Sequence, residues 1–470
     1  MELLAYFFVA VPFLLGLLTL LAIIAFGGLS LSRPWLPVLA YLSVFFTFSG
    51  STYGLLQGSG QTVYSRGTGQ VLFPLLLWAL LVGVGWTWMG RQFSGHHEPL
   101  KSPLLAAFGL WWLLLVGHMT WGLVSGIEFR QALGFHGFSL VPWMGVLVLM
   151  LAWSVRSWGD VRLLARCLVL AVLLKSVYGL VRWAFFGGDP ANIYQNVEKI
   201  SVKLTYFDIS DSLIGVMGLA ASVVLWLSRP PQDEGRQWRV LYAVTAGLAT
   251  ACIFLSYRRT AWVGLGLALA YLVMRMPRVL RWRVIVFGLP AFALALAYVA
   301  RQRLGNIKGA SGLNALIYDL TSARFGAISS RVLELQLALE EFARSPIVGI
   351  GAWGKFANTG LIAWQAGEDA GSFLHSGVLH IAMKTGLVGL LLMAFVVVAF
   401  ATQVAKLRRG LPPHAQALVI AAVAGLVFMV PDMLLGTPIP QVRTTQLLAL
   451  CLGLPLMVAM VLRREGPSPR

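Results

Sequence analysis

The chain has 470 residues, 58% of them hydrophobic and 11% charged, with a formal net charge of +18. A soluble domain carries about 25% charged residues, so this composition excludes a soluble enzyme or a secreted factor. The basic excess would fit nucleic acid in a soluble protein, but cytoplasmic loops of membrane proteins collect the same residues, and no nucleic-acid partner is expected.

Apolar runs recur from end to end, each long enough to cross a hydrocarbon core of about 30 Å. In chain order they predict spans near 3–26, 34–50, 70–90, 103–125, 138–155, 163–185 and 208–228. Further runs lie near 240–256, 261–276, 284–300, 377–400, 416–434 and 445–462. The expected fold is an all-α polytopic membrane protein with about 12 to 13 transmembrane helices. The first run, Glu2 to Phe26, is too long and lacks the basic start of a signal peptide. Cys167, Cys252 and Cys451 are scattered within apolar runs and read as small core residues, without metal or disulfide spacing.

The connectors alternate in character. One set is compact and basic: Arg91 to Lys101, Arg156 to Arg166, Arg229 to Arg239, Arg275 to Arg283, Lys406 to Arg409, and Arg463 to Arg470. No two of these are consecutive connectors, so the positive-inside bias assigns all of them to the cytoplasm without conflict. The remaining connectors then face outward, and two are substantial: residues 187–207 and residues 301–376. Within the longer one, Val332, Leu335, Leu339 and Phe342 follow a helical period, with Arg331, Glu334 and Glu341 opposite. Residues 329–344 therefore predict an amphipathic helix at the outer membrane surface, stopped by Ser345–Pro346.

Ionisable groups in or beside spans are costly and mark functional candidates. Arg258 and Arg259 join two spans with almost no loop. They offer planar forks of donors suited to phosphate oxygens, or alternatively anchors in lipid headgroups. Lys175 and Arg182 share a helix face two turns apart. Lys199, Lys203, Tyr206, Asp208 and Asp211 lead into the next span, as a sugar–phosphate site or a solvated loop. His375, with His380 five residues on, stands where the long loop re-enters a span, as a general base or a helix cap. Asp432 and Arg443 read as a structural pair across a short turn. No P-loop, dinucleotide fingerprint or paired-carboxylate metal motif is present in the sequence, so no cofactor or metal is expected.

Three stretches now combine. Phe254 to Leu265 (FLSYRRTAWVGL) resembles the serine–arginine motif of the O-antigen ligase and polymerase superfamily. Ser345 to Gly354 (SPIVGIGAWG) is similar to that family's proline- and glycine-rich loop segment. His375–Ser376 with Gly386 to Leu390 resembles the start of its next span. The likeness covers residues 245–400, dividing the chain into N-terminal helices 1–244, this core with its loop 301–376, and C-terminal helices 401–470.

The resemblance implies a metal-independent, inverting glycosyl transfer on the periplasmic face of the bacterial inner membrane. The implied donor is an undecaprenyl-pyrophosphate-linked glycan, and the implied acceptor is lipid A–core or another glycan. Arg258 or Arg259 would hold the pyrophosphate and His375 would assist the acceptor hydroxyl. Arg182 and Lys203 compete for a further arginine position of the family, and Tyr206, Asp208, Arg331 and His380 complete the expected binding set. Where the family often has Asn-Pro-Asn-like residues, this chain has Thr205 to Asp208, which leaves the acceptor type open. A polymerase of the same superfamily, and a transporter or flippase from another class, are the alternative readings.

Overall fold

The computed structural model describes residues 21, 25–47, 64, 73–95, 100–134, 137–190, 192, 201–228, 235–307, 314–315, 327–362, 365, 370–407 and 410–466. The predicted span 3–26 and Lys199 lie outside these, apart from the end of the span.

Thirteen helices carry the architecture among the described residues: α1 (Trp35–Thr47), α2 (Leu75–Phe93), α3 (Pro103–Val124), α4 (Leu140–Ser154), α5 (Trp158–Phe185), α6 (Ile209–Leu227), α7 (Arg236–Phe254), α8 (Arg259–Arg275), α9 (Arg278–Gly305), α10 (Ala327–Arg344), α11 (Gly377–Lys406), α12 (Pro413–Leu435) and α13 (Val442–Glu465). No strand occurs among them. This is an all-α polytopic membrane protein. Seven helices, α3, α5, α6, α9, α11, α12 and α13, are long and apolar enough to cross a membrane. The predicted runs at α1 and α4 form helices of 13 and 15 residues, or about 20 Å at 1.5 Å per residue.

Hydrocarbon offers the backbone no hydrogen bonds, so each crossing segment must satisfy its own as helix. What then separates centre from rim is which residues allow close packing. α6 and α13 are buried almost all round and form the centre with α4 and α12. At Gly218 of α6, a Cβ would stand 2.4 Å from Val172 of α5, so only a glycine permits that approach. α9 lies at the rim, exposing Trp282, Phe287, Leu294 and Tyr298. Cys252 and Cys451 are buried and Cys167 is partly so, all three as free thiols.

The two ends of the bundle differ. At one end the basic connectors gather: Arg156 donates to Ser94 Oγ at 3.0 Å, and Arg464 donates to the Val155 carbonyl at 3.3 Å. A capping box between Ser157 and Asp160 starts α5 there. At the other end, α9 finishes, the long loop leaves, and α11 begins under a Ser376 cap.

α10 forms almost where its period predicts, but its faces are turned. Val332 and Leu339 are exposed, whereas Glu334 is fully buried beside Leu337 and Ala338. Leu333 and Leu335 also pack inward, so the helix turns a mixed face to the protein, with Glu334 among leucines, and leaves Val332 and Leu339 outward.

α11 is broken at Gly386, whose φ of 63° and ψ of −154° are outside the helical range. The Pro346–Gly351 segment fits against the break. Leu387 and Val388 donate to the Pro346 and Ile347 carbonyls, and Ile350 and Gly351 donate to those of Met383 and Lys384. A Cβ at Gly386 would lie 2.3 Å from the Ile347 oxygen. Gly386→Ala is therefore expected to cost about 1–3 kcal/mol or more, measured as a lowered unfolding midpoint in detergent.

Candidate active site at the loop end of the bundle

The α7–α8 turn presents the paired arginines. Leu255 ends α7, Tyr257 takes a left-handed conformation (φ 51°), and Arg258 immediately precedes α8. A non-glycine residue in that region costs about 1–3 kcal/mol and persists only when its surroundings impose it. Here they do. Arg303, at the end of α9 and 2% exposed, donates to the Tyr257 carbonyl at 2.9 Å. Trp262 Nε1 donates to the Phe254 carbonyl at 3.0 Å. Arg303 was not legible in the sequence, because a basic residue ending an apolar run looks like an ordinary span terminus.

The strained turn directs Arg258 inward. One of its nitrogens donates to the Phe207 carbonyl, and another lies 3.9 Å from Asp432. The second distance is an ion pair too long for a hydrogen bond. The guanidinium therefore keeps unused donors among the described residues, and its side chain is 18% exposed. Arg259 is the first residue of α8 and is half-buried.

Asp432 is the centre of the cluster. Arg258, at the turn before α8, lies 3.9 Å from it, and the charges of Asp208, His375 and Arg331 are near enough to bear on the same buried carboxylate. This differs from the expected Asp432–Arg443 pair. Arg443 turns instead to Asp211 at 2.6 Å, Asp208 at 3.7 Å and Ser210 Oγ at 2.7 Å. Lys175 also meets Asp211, at 2.8 Å. The cause is that α6 begins between α5 and α13 and places Asp211 where both cations reach it.

The other expected residues divide. Arg182 donates to the Thr205 carbonyl and pairs with Asp189 at 3.0 Å, with the Tyr178 and Tyr206 rings beside it. Thr205 and Phe207 are two residues apart, so Arg182 and Arg258 grip one connector at points within about 7 Å. A cavity of about 720 Å³ opens beside Arg182, lined by Tyr178, Val181, Phe186, Gly187 and Asp189. Tyr206 is buried and its hydroxyl donates to the Lys175 carbonyl. Asp208 caps α6 by accepting from the Ser210 amide at 3.1 Å. Lys203 is exposed, and its carbonyl accepts from Trp183 Nε1. His380 is fully buried and lies 2.9 Å from the Gly137 carbonyl, facing the α3–α4 connector rather than the cluster.

His375 stands just before the Ser376 cap, 22% exposed at its side chain. Its Nδ1 lies 3.0 Å from Glu334 Oε2, and its backbone N–H donates to the same oxygen at 3.0 Å. Burial alone would raise the Glu334 carboxyl, but its hydrogen bonds with His375 and Gln365 hold it below the usual glutamate value. The contact is thus complete above the ordinary glutamate range and is lost as acid takes the pH down through the lowered value. Sequence periodicity places Glu334 on the face opposite Val332 and Leu339, and does not tell that this face packs against His375.

Residues 243–394 match the protein family described as O-antigen ligase. Among curated protein sequences none matches the chain. The matched stretch runs from α7 into α11 and contains Arg258, Arg303, Glu334, His375 and the break at Gly386. Residues 243–394, about a third of this multi-pass membrane protein, are therefore similar to the family described as O-antigen ligase.

Proposed function

We propose that this protein transfers a glycan from an undecaprenyl-pyrophosphate carrier to an acceptor hydroxyl, with lipid A–core as the acceptor. The active site would face the periplasm from the inner membrane. The observation that carries this reading is Arg258, with donors to spare and 3.9 Å from Asp432, at the end of the bundle where the long loop bearing His375 returns to α11.

The chemistry follows from the groups present. The donor's lipid tail lies against the bundle, and its pyrophosphate meets the free donors of Arg258, with Arg259, Arg182 and Lys203 adding positive charge nearby. The acceptor oxygen attacks the anomeric carbon as the bond from that carbon to the pyrophosphate oxygen breaks, giving inversion. His375 takes the acceptor's hydroxyl proton, and general-base help of this kind contributes about 10²–10⁴-fold. Arginine donors offset charge growing on the departing pyrophosphate, where a partly dehydrated setting strengthens them. No step calls for a metal, since the leaving group is already good.

The test is reconstitution of purified protein with undecaprenyl-pyrophosphate glycan and lipid A–core in the presence of a chelator. Glycan on lipid A–core is the expected product. Longer lipid-linked glycan with unused core would make the protein a polymerase of the same superfamily. Folded protein with native donor and no transfer to either acceptor would overturn the reading.

A further inference from the structure

Glu334 is a fully buried carboxylate on a loop helix. Burying such a group is costly unless donors surround it, and its donor set here is specific. The Gln365 side-chain amide donates to Oε1 at 2.7 Å. The His375 backbone N–H donates to Oε2 at 3.0 Å. The third neighbour is His375 Nδ1, at 3.0 Å from Oε2 and 3.4 Å from Oε1.

Gln365 cannot turn its amide round. Its own oxygen accepts from the Gly371 N–H at 2.9 Å, and its nitrogen also donates to the Phe373 carbonyl at 2.8 Å. Both Glu334 oxygens are therefore acceptors, as an ionised carboxylate must be. A neutral imidazole has one N–H and one lone pair, and the hydrogen bond at one nitrogen decides which is which. Nδ1 faces the two oxygens of that carboxylate, which are acceptors.

We propose that Glu334 is a positioning residue that keeps the His375 proton on Nδ1, leaving the Nε2 lone pair for the acceptor hydroxyl. This rests on the transferase reading above for its purpose, though not for its geometry. The carboxylate also fixes the ring's direction, because it holds the backbone and the ring of the same residue. When His375 takes the acceptor proton on Nε2, the ring becomes a cation with both nitrogens protonated, and Glu334 faces the new charge without moving. The proton later leaves Nε2 to water, and the starting tautomer returns.

A carboxylate that only pins the loop to α11 would show the same distances, so the test must read the ring itself. Protein labelled with 15N-histidine, in detergent at alkaline pH, reports which ring nitrogen is protonated, with His375→Gln identifying the signal. The expected result is a protonated Nδ1 and a bare Nε2 at His375. In Glu334→Gln the neutral amide oxygen holds Nδ1–H less strongly than a carboxylate, and in one of its two placements the amide turns a donor to Nδ1, so the tautomer becomes mixed. Its kcat is then expected to fall about 100-fold or more, with the donor KM within about twofold. A wild-type His375 carrying its proton on Nε2 overturns the proposal, even if Glu334→Gln does not fold. A folded Glu334→Gln protein with the wild-type tautomer and full rate overturns it as well. The tautomer is read without substrate. Wild-type protein with Nδ1 protonated and no transfer to any acceptor would refute the transferase reading alone.

Discussion

Replacing Arg258 with alanine is expected to lower kcat for glycan transfer by about 100- to 1,000-fold while leaving the protein folded. Among the described residues the guanidinium makes one hydrogen bond to the backbone, at Phe207, lies over the Phe207 ring and pairs loosely with Asp432. Losing one hydrogen bond of a charged group costs about 1.5–3 kcal/mol of stability, against about 2.7–4 kcal/mol for the barrier change sought, so the two are read separately. The check is transfer rate in proteoliposomes beside the unfolding midpoint in detergent. Arg258→Lys keeps a charge but loses the planar fork, so its rate should fall between the two. Full transfer by Arg258→Ala would remove this arginine from the pyrophosphate site and shift the role to Arg259.

Asp211→Asn should do the opposite, costing stability before rate. Asp211 lies between Lys175 at 2.8 Å and Arg443 at 2.6 Å, and its carboxylate is fully enclosed. Taking the charge away leaves two cations in the bundle with Asp208, 3.7 Å from Arg443 and partly exposed, as the nearby anion. Breaking a buried charge group in this way costs about 3–5 kcal/mol. The expected result is a sharply lower unfolding midpoint and poor yield from membranes. Adding Lys175→Met to Asp211→Asn removes one stranded cation and should recover part of the loss, because residues in one network are not additive. An unchanged midpoint for the single variant would show that water reaches this group and that the triad does not hold α5, α6 and α13 together.

These two outcomes separate the arginines that organise the bundle from the arginine that faces an open cluster. Sequence alone could not make that separation. Hydropathy located the spans, since a run of apolar residues must become helix in hydrocarbon whatever its neighbours. The alternation of basic connectors gave the two ends, because that signal depends only on counting charges between runs. Arg258 and His375 were legible for a similar reason: each is a costly group at a span boundary. What stayed hidden depends on rotation and distance. A helical period states that Glu334 and Val332 lie on different faces, but not which face meets the protein. Asp211 looked like a loop residue leading into a span, and only the meeting of α5 with α13 makes it a shared counter-ion. Arg443 was given to Asp432 because the two are close in the chain, whereas three helices decide its partner.

The break at Gly386 acts as a ruler. Below it, Leu387–Lys406 contains 20 residues, which rise about 30 Å and by themselves match a hydrocarbon core. The outward side chains of that stretch, Leu387, Leu391, Val397 and Val398, are apolar. Above the break, Gly377 to Thr385 buries His380, Lys384 and Thr385 and is joined by hydrogen bonds to the Pro346–Gly351 segment of the long loop. That upper piece extends no more than about 13 Å, and His375 stands just beyond its tip. Headgroups fill about 5–8 Å beyond the hydrocarbon. On the proposed transferase reading, with the break at the oily boundary, the reacting carbon would have a ceiling roughly one headgroup layer and one sugar ring above it. A carrier whose phosphates sit among headgroups would deliver its first sugar at that height without leaving the membrane. The acceptor would then have to bring its hydroxyl down to the same level, so however long the transferred chain grew, the new bond would form at the membrane-proximal end.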